Sequence, residues 1–231
     1  MWKRFPLAAL CVAAALCFAA ALRVAVPLYA FQPDPAAMRK LFEDALARRV
    51  KAYGEADART AQAARDLGLF LCRSADMPAA RRAMTRAIQL DEKALGLSAA
   101  ETLEDVATLA SISPRADAEP LFRRAAESPD PIVAGQSLTS LAEIRKAAGD
   151  LRSATDLLRR ALEKAEGAGG PDGLTTALVL KLLAQVVPVK DAIPLLQRAV
   201  AIEEAKLGPR NPQTIQDSRR LADVIRAGRS N

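Results

Sequence analysis

Acid–base or nucleophilic chemistry in this chain would have to be built without histidine, because none of its 231 residues is one. That removes the commonest general base and metal ligand, and every Ser-His or Cys-His nucleophile pair. Cys11 and Cys17 lie in an apolar N-terminal run, so Cys72 is the one thiol of the folded part, and no intrachain disulfide or thiolate metal site can form there. A single cysteine on an amphipathic helix reads as a small buried hydrophobe. Glu104, Asp105 and Lys181 are the remaining polar candidates, and Lys181 belongs to a different repeat from the other two. The expectation is a protein that is not an enzyme and uses no cofactor and no metal.

Partner classes are narrowed by charge. The formal net charge is +6, of which residues 1–35 carry three cations against one carboxylate. The remaining +4 is spread over 30 basic and 26 acidic residues, a mixed surface and not the basic stripe of a nucleic-acid groove. Of the doublets Arg81-Arg82, Arg123-Arg124, Arg159-Arg160 and Arg219-Arg220, three fall on second helices, on the outer side of the stack, beside acidic residues such as Glu119, Asp156 and Glu163 that can pair at helical spacing. No aromatics interleave with these doublets, as stacking on single strands would require, so no nucleic-acid partner is expected.

Phe5 to Leu22 run eighteen residues without a charge behind a basic MWKR start. At about 1.5 Å per residue the run forms roughly 27 Å of helix, close to the ~30 Å hydrocarbon core of a bilayer. Trp2 at one end and Arg23, Tyr29 and Phe31 at the other suit the two interfaces, which favours an uncleaved transmembrane anchor. Ala19-Ala20-Ala21 leaves a cleaved signal peptide as the alternative. Either places the C-terminal part outside the cytoplasm, on the periplasmic or exterior side of a bacterial inner membrane, or releases it there. Residues 1–35 are expected to be this signal segment and its linker, and 36–231 a helical repeat domain.

The elements of that domain follow from a recurring block. KLFEDAL, RAMTRAI, PLFRRAA, DLLRRAL and PLLQRAV centre on Ala45, Ala87, Ala125, Ala161 and Ala199. Between them fall Leu67-Gly68, Val106-Ala107, Leu141-Ala142, Leu183-Ala184 and Leu221-Ala222, and Ala80, Ala118, Ala154 and Ala192 stand seven before the last four central alanines. Small residues at fixed phases on two successive helices allow an antiparallel pair to approach closely and the next pair to stack on it. Ten helices are predicted, over 36–53, 57–74, 77–95, 99–111, 115–127, 132–148, 151–167, 173–187, 189–207 and 212–228. Aromatics at 4% argue against a β-sandwich or barrel. Four loops, GEADART, GLSAAET, GPDGLTT and GPRNPQT, place glycine and threonine six apart. The glycine suits a helix end at positive φ, and the threonine is expected to cap the next helix.

This pattern resembles the tetratricopeptide repeat (TPR), carried by Gly68, Ala80, Met84 and Ala87, by Ala107, Ala118, Phe122 and Ala125, by Ala142, Ala154, Leu158 and Ala161, and by Ala184, Ala192, Leu196 and Ala199. The near-forty period and the Gly-to-Thr loops are similar to the kinesin light chain branch. The resemblance implies a right-handed α-solenoid with a groove that binds a peptide or extended protein segment. The groove positions are Arg65, Leu69, Glu104, Thr108, Thr139, Glu143, Lys146, Lys181, Gln185, Arg219, Asp223 and Arg226. Paired asparagines, frequent in that branch just before the Leu-Ala, are replaced here by RD, ED, TS, KL and RR. The functional expectation is a non-catalytic scaffold or adaptor of the cell envelope, or, if the signal is cleaved, a released accessory subunit.

Overall fold

Helix starts are fixed by local chemistry in two distinct ways. Asp57, Asp76, Asp130 and Asp150 each accept a hydrogen bond from a first-turn amide, at 2.9, 3.1, 2.7 and 3.0 Å. Asp34 and Asn211 do the same before the first and last helices, at 3.0 and 2.9 Å, whereas Ala99, Pro114, Gly173 and Pro188 stand at the remaining starts and offer no side-chain cap. The computed structural model describes residues 34–229 and comprises, among them, ten helices. These are α1 (Pro35–Tyr53), α2 (Ala58–Arg73), α3 (Met77–Ala94), α4 (Ala100–Ser111), α5 (Arg115–Ala125), α6 (Pro131–Ala147), α7 (Leu151–Gly169), α8 (Leu174–Leu183), α9 (Val189–Leu207) and α10 (Pro212–Arg229). All ten expected helices are present, with bounds within about two residues except at α8, which stops at Leu183. The apolar run Phe5–Leu22 lies outside the described residues, and among those described no helix is long and apolar enough to cross a membrane.

Compact units divide at Leu41. The described part of the first is the opening of α1. In the second, each helix from α2 onward packs on the next, and the first helices of two successive pairs, α4 and α6, also touch. Phe42 and Leu46 of α1 pack on α2, where Phe42 stacks on Phe70 with ring centroids 5.0 Å apart.

The caps reveal a longer period than the one expected. Pairs α2–α3 and α6–α7 begin on aspartates and have first helices of 16 and 17 residues. Pairs α4–α5 and α8–α9 lack such caps, and their first helices have 12 and 10 residues. Residues 57–130 and 131–204 align without a gap, with 19 of 74 positions identical. Contacts repeat with the residues: Arg124 pairs with Glu92 and donates to the Leu97 carbonyl, and 74 positions later Arg198 pairs with Glu166 and donates to the Pro171 carbonyl. Pro114 and Pro188, at the starts of the second helices, hold the same backbone, φ −55° and −57°. This placement corrects the second Leu-Ala pair. The counterpart of Leu183-Ala184 is Leu109-Ala110, buried at 8% and 1% exposure, one turn beyond Val106-Ala107.

The glycines of the four loops hold φ of 80°, 100°, 80° and 88° at Gly54, Gly96, Gly170 and Gly208, as expected of helix ends. The threonines do not cap amides. Thr60, Thr102 and Thr176, fully buried in the first turns that follow, donate back to the carbonyls of Gly54, Gly96 and Gly170 at 2.7, 2.9 and 2.8 Å. Each hydroxyl thereby closes its own loop. Thr214 is equally placed, but its hydroxyl has no partner among the described residues.

The small-residue phases form the core as expected. Ala87, Ala125, Ala161 and Ala199 are fully buried, and Ala80, Ala118, Ala154 and Ala192 nearly so. Gly68 marks the closest approach: a Cβ there would stand 2.6 Å from Met84 Sδ, 2.9 Å from its Cγ and 3.3 Å from its backbone nitrogen. Gly68→Ala should lose stability although alanine is the better helix former. Overpacking costs about 1–3 kcal/mol against a gain of about 1. Thermal melts should show a net loss of about 1 kcal/mol, and in a Met84→Ala background, itself destabilised by the buried truncation, Gly68→Ala should add no further loss.

Candidate partner-binding face

Each first helix carries one equivalent position, five residues past the buried threonine or its counterpart Ala134. Arg65, Ala107, Thr139, Lys181 and Arg219 occupy it in α2, α4, α6, α8 and α10. What surrounds this position differs from one junction to the next.

At the first junction Arg65 is held by two carboxylates, Asp91 of α3 at 2.7 Å and Asp105 of α4, both essentially buried. At the last junction Lys181 is held by Glu203 of α9 at 2.6 Å and Asp217 of α10 at 2.7 Å, with Gln213 also donating to Asp217. Burial opposes the charge of both cations, but the carboxylates outweigh it, and both stay protonated beyond their ordinary range. The acids split. Burial pushes the Asp105 carboxyl up to about 7, reinforced by Asp91, against the pull of Arg65. Burial acts the same way on Asp217, but hydrogen bonds from Lys181 and Gln213 outweigh it and hold that carboxyl below its usual range.

The two middle junctions carry no such triad. Between α6 and α8 the positions 74 residues after Arg65, Asp91 and Asp105 are Thr139, Ala165 and Val179. An open pocket of about 430 Å3 lies there, floored by Ala161, Ala165 and Val179 and edged by Ile132 and Leu178, both more than half exposed. Between α4 and α6 a second crevice is lined by Glu104, Thr108, Phe122, Asp130 and Gln136.

This geometry sorts the twelve predicted positions. Arg65 and Lys181 are interior staples, locked in ion pairs at 18% and 12% side-chain exposure, and are not surface available to a partner. The clue was in the sequence: acidic residues 26 and 40 positions after Arg65, and 22 and 36 after Lys181, fall on the neighbouring helices. Glu104 and Thr108 lie one turn off their intended phase, whose true occupants are Ala107 and Ser111, but all four line the α4–α6 crevice. Thr139 lines the α6–α8 pocket. Lys146 of α6 reaches Gln185 after α8 at 2.7 Å and lies 3.5 Å from Glu143. Leu69, Arg219 and Asp223 are exposed, and Arg226 pairs with Asp223. Sequence reasoning missed the pocket residues Ile132, Ala165, Leu178 and Val179, whose signal was their divergence from the first half.

Chemistry does not converge anywhere on this face. Asp105 and Lys181 belong to opposite triads, and Glu104 is on the surface. Cys72 is half-buried against Leu67, Leu71 and Ala79, and burial pushes its thiol above the ordinary range, which suits packing. Within the arginine doublets, Arg123 pairs with Glu119, Arg124 with Glu92 and Arg159 with Asp156 at 3.7 Å, and Arg81 donates to the Ile112 carbonyl.

Neither a protein-family model nor a curated protein matches the sequence. Solved structures match in fold. BtubC (BKLC) from P. vanneervenii is similar at a TM-score of 0.66 and 17% identity, over 82% of each chain. A Podosopora anserina protein described as a kinesin light chain with nearly identical TPR-like repeats is similar at 0.58 and 16%, over 75% of this chain and 88% of that one. A second structure of the same description gives 0.56 and 16%, over 74% and 88%. The chain from α2 to α10 therefore has the fold of a TPR-like solenoid of stacked helical hairpins.

Proposed function

We propose that this protein is a non-catalytic scaffold of the bacterial cell envelope that holds an extended segment of a partner protein along the face formed by α2, α4, α6, α8 and α10. The observation that carries this reading is the alternation on that face. The junctions at its two ends are closed by buried ion triads, and the two between them are open crevices. Rigid ends and open centre suit a surface that receives a chain and does not close over a substrate. The TPR-like fold supports protein binding as the general role. Residues 5–22 would tether the solenoid, raising the local concentration of a weakly held partner, so that micromolar affinity, about 8 kcal/mol, suffices.

Co-purification from envelopes checks the face. Glu104→Lys and Arg219→Glu, both on exposed positions outside the triads, should change the set of recovered proteins and weaken it at higher salt. Recovery unchanged by both would remove the face from the account. Alkaline phosphatase fused after residue 35 should be active, and an inactive fusion would remove the envelope. A released periplasmic subunit is the second reading, favoured by Ala19-Ala20-Ala21. The mass of the mature N-terminus separates the two.

A further inference from the structure

The two halves of the solenoid share a backbone plan but fill one place differently, and that difference points to a ligand. In the first half the space between α2, α3 and α4 is occupied by Arg65, Asp91 and Asp105. In the second half, the same three positions are Thr139, Ala165 and Val179, and the space is an open pocket of about 430 Å3. That volume falls within the roughly 300–1,000 Å3 typical of ligand sites. Its lining includes no charged residue, in a chain of which 26% is charged. Ile132 and Leu178 line it at 56% and 52% exposure, two large apolar side chains left in water beside the same pocket.

Charge on either side of the pocket is of opposite sign. Toward α4 the neighbouring crevice carries Glu104 and Asp130. Toward α10, beyond the closed Lys181 triad, exposed Asp223 is paired by Arg226, and the exposed pair Arg219-Arg220 leaves an excess of positive charge.

We propose that the α6–α8 pocket is the anchor site of the partner segment, taking one bulky aromatic or branched aliphatic side chain from an extended peptide. That peptide carries basic residues on the α4 side of the anchor and acidic residues on the α10 side. The proposal rests on the binding face argued above and adds its specificity: an apolar anchor buries area for affinity, and the flanking charges set the orientation.

The test uses the immobilised full chain and synthetic peptides. The probe is Lys-Lys-Ser-Trp-Ser-Asp-Asp, blocked at both ends, with three controls: alanine in place of tryptophan, four lysine flanks, and four aspartate flanks. The mixed-flank probe should bind at least tenfold more tightly than each control. Two variants should weaken it at least tenfold. One, Ile132→Ser with Leu178→Ser, changes only exposed side chains. The other, Thr139→Arg with Ala165→Asp and Val179→Asp, installs the triad that the first half already accommodates on the same backbone.

Binding that ignores the tryptophan and both pocket variants, but is lost in Glu104→Lys, would overturn the anchor and leave the face as the binding surface. Failure of the probe to bind at all would overturn the anchor's stated chemistry, while co-purification judges the face independently.

Discussion

Replacing Lys181 with methionine is expected to destabilise the C-terminal end of the solenoid by about 3–5 kcal/mol, the cost of breaking a buried ion pair from one side. The variant keeps the length of the side chain but leaves Glu203 and Asp217, at 4% and 7% side-chain exposure, facing each other without a cation. For a chain of this size that corresponds to a fall in melting temperature of roughly 6–20 °C. Because each repeat rests on its neighbour, α9 and α10 should lose amide protection before the rest. Adding Glu203→Gln and Asp217→Asn to the same chain should restore most of the loss, since three neutral groups of similar shape replace the stranded charges. A single-variant melt within 2 °C of the parent would show that the triad is not a structural staple.

The first triad makes the fold sensitive to pH in an uncommon direction. Burial pushes Asp105 up to about 7 in the folded chain, whereas the unfolded group titrates near ~3.9. Between those values the folded state binds the extra proton, so stability falls as pH rises. The contribution is full below about pH 4 and is lost as pH passes through about 7, with a slope of up to about 1.4 kcal/mol per unit. Asp217 works oppositely, since its lowered value makes its contribution present above ~3.9 and lost only in acid. With no histidine in the chain, the window from pH 5 to 8 is left largely to Asp105. Melting temperature should decline across that window in the parent and stay nearly level in Asp105→Asn. A parent whose melting temperature rises from pH 5 to 8 would contradict the assignment.

Much of the fold was legible because close helix packing demands small residues at fixed phases, and an alanine among long side chains is visible in any sequence. Ala80 and Ala87, Ala154 and Ala161 located the second helices, and the Gly-to-Thr loops located the starts of α2, α4, α8 and α10. The Val106-Ala107 slip had a physical cause. Both Leu109-Ala110 and Val106-Ala107 are apolar pairs on one helix, and only the loss of a turn before Pro114, repeated before Pro188, tells them apart. The 74-residue period was equally present in the sequence, but a search for single repeats averages over the alternation of long, aspartate-capped pairs with short, uncapped ones.

The candidate face was legible by position and not by role. Facing positions on a helix follow from its period, so Arg65, Thr139 and Lys181 were read as groove positions, and the structure places them at the junctions between repeats. Whether such a residue meets a partner or its own chain depends on residues 22–40 positions away, and those pairings appear only when the hairpins stack. The pocket is harder still to foresee, because Thr139, Ala165 and Val179 are individually ordinary, and their meaning lies in the charged residues they replace.

The most direct measurement of the central claim is site-specific photo-crosslinking in intact envelopes, with the crosslinker placed at Leu178 on the first-helix face or at Arg159 on a second helix. A discrete adduct is expected from Leu178, competed by the tryptophan probe and mapping to a segment with an apolar anchor between opposite charges, and none from Arg159. Adducts from Arg159 alone, or from Leu178 without competition, would contradict it.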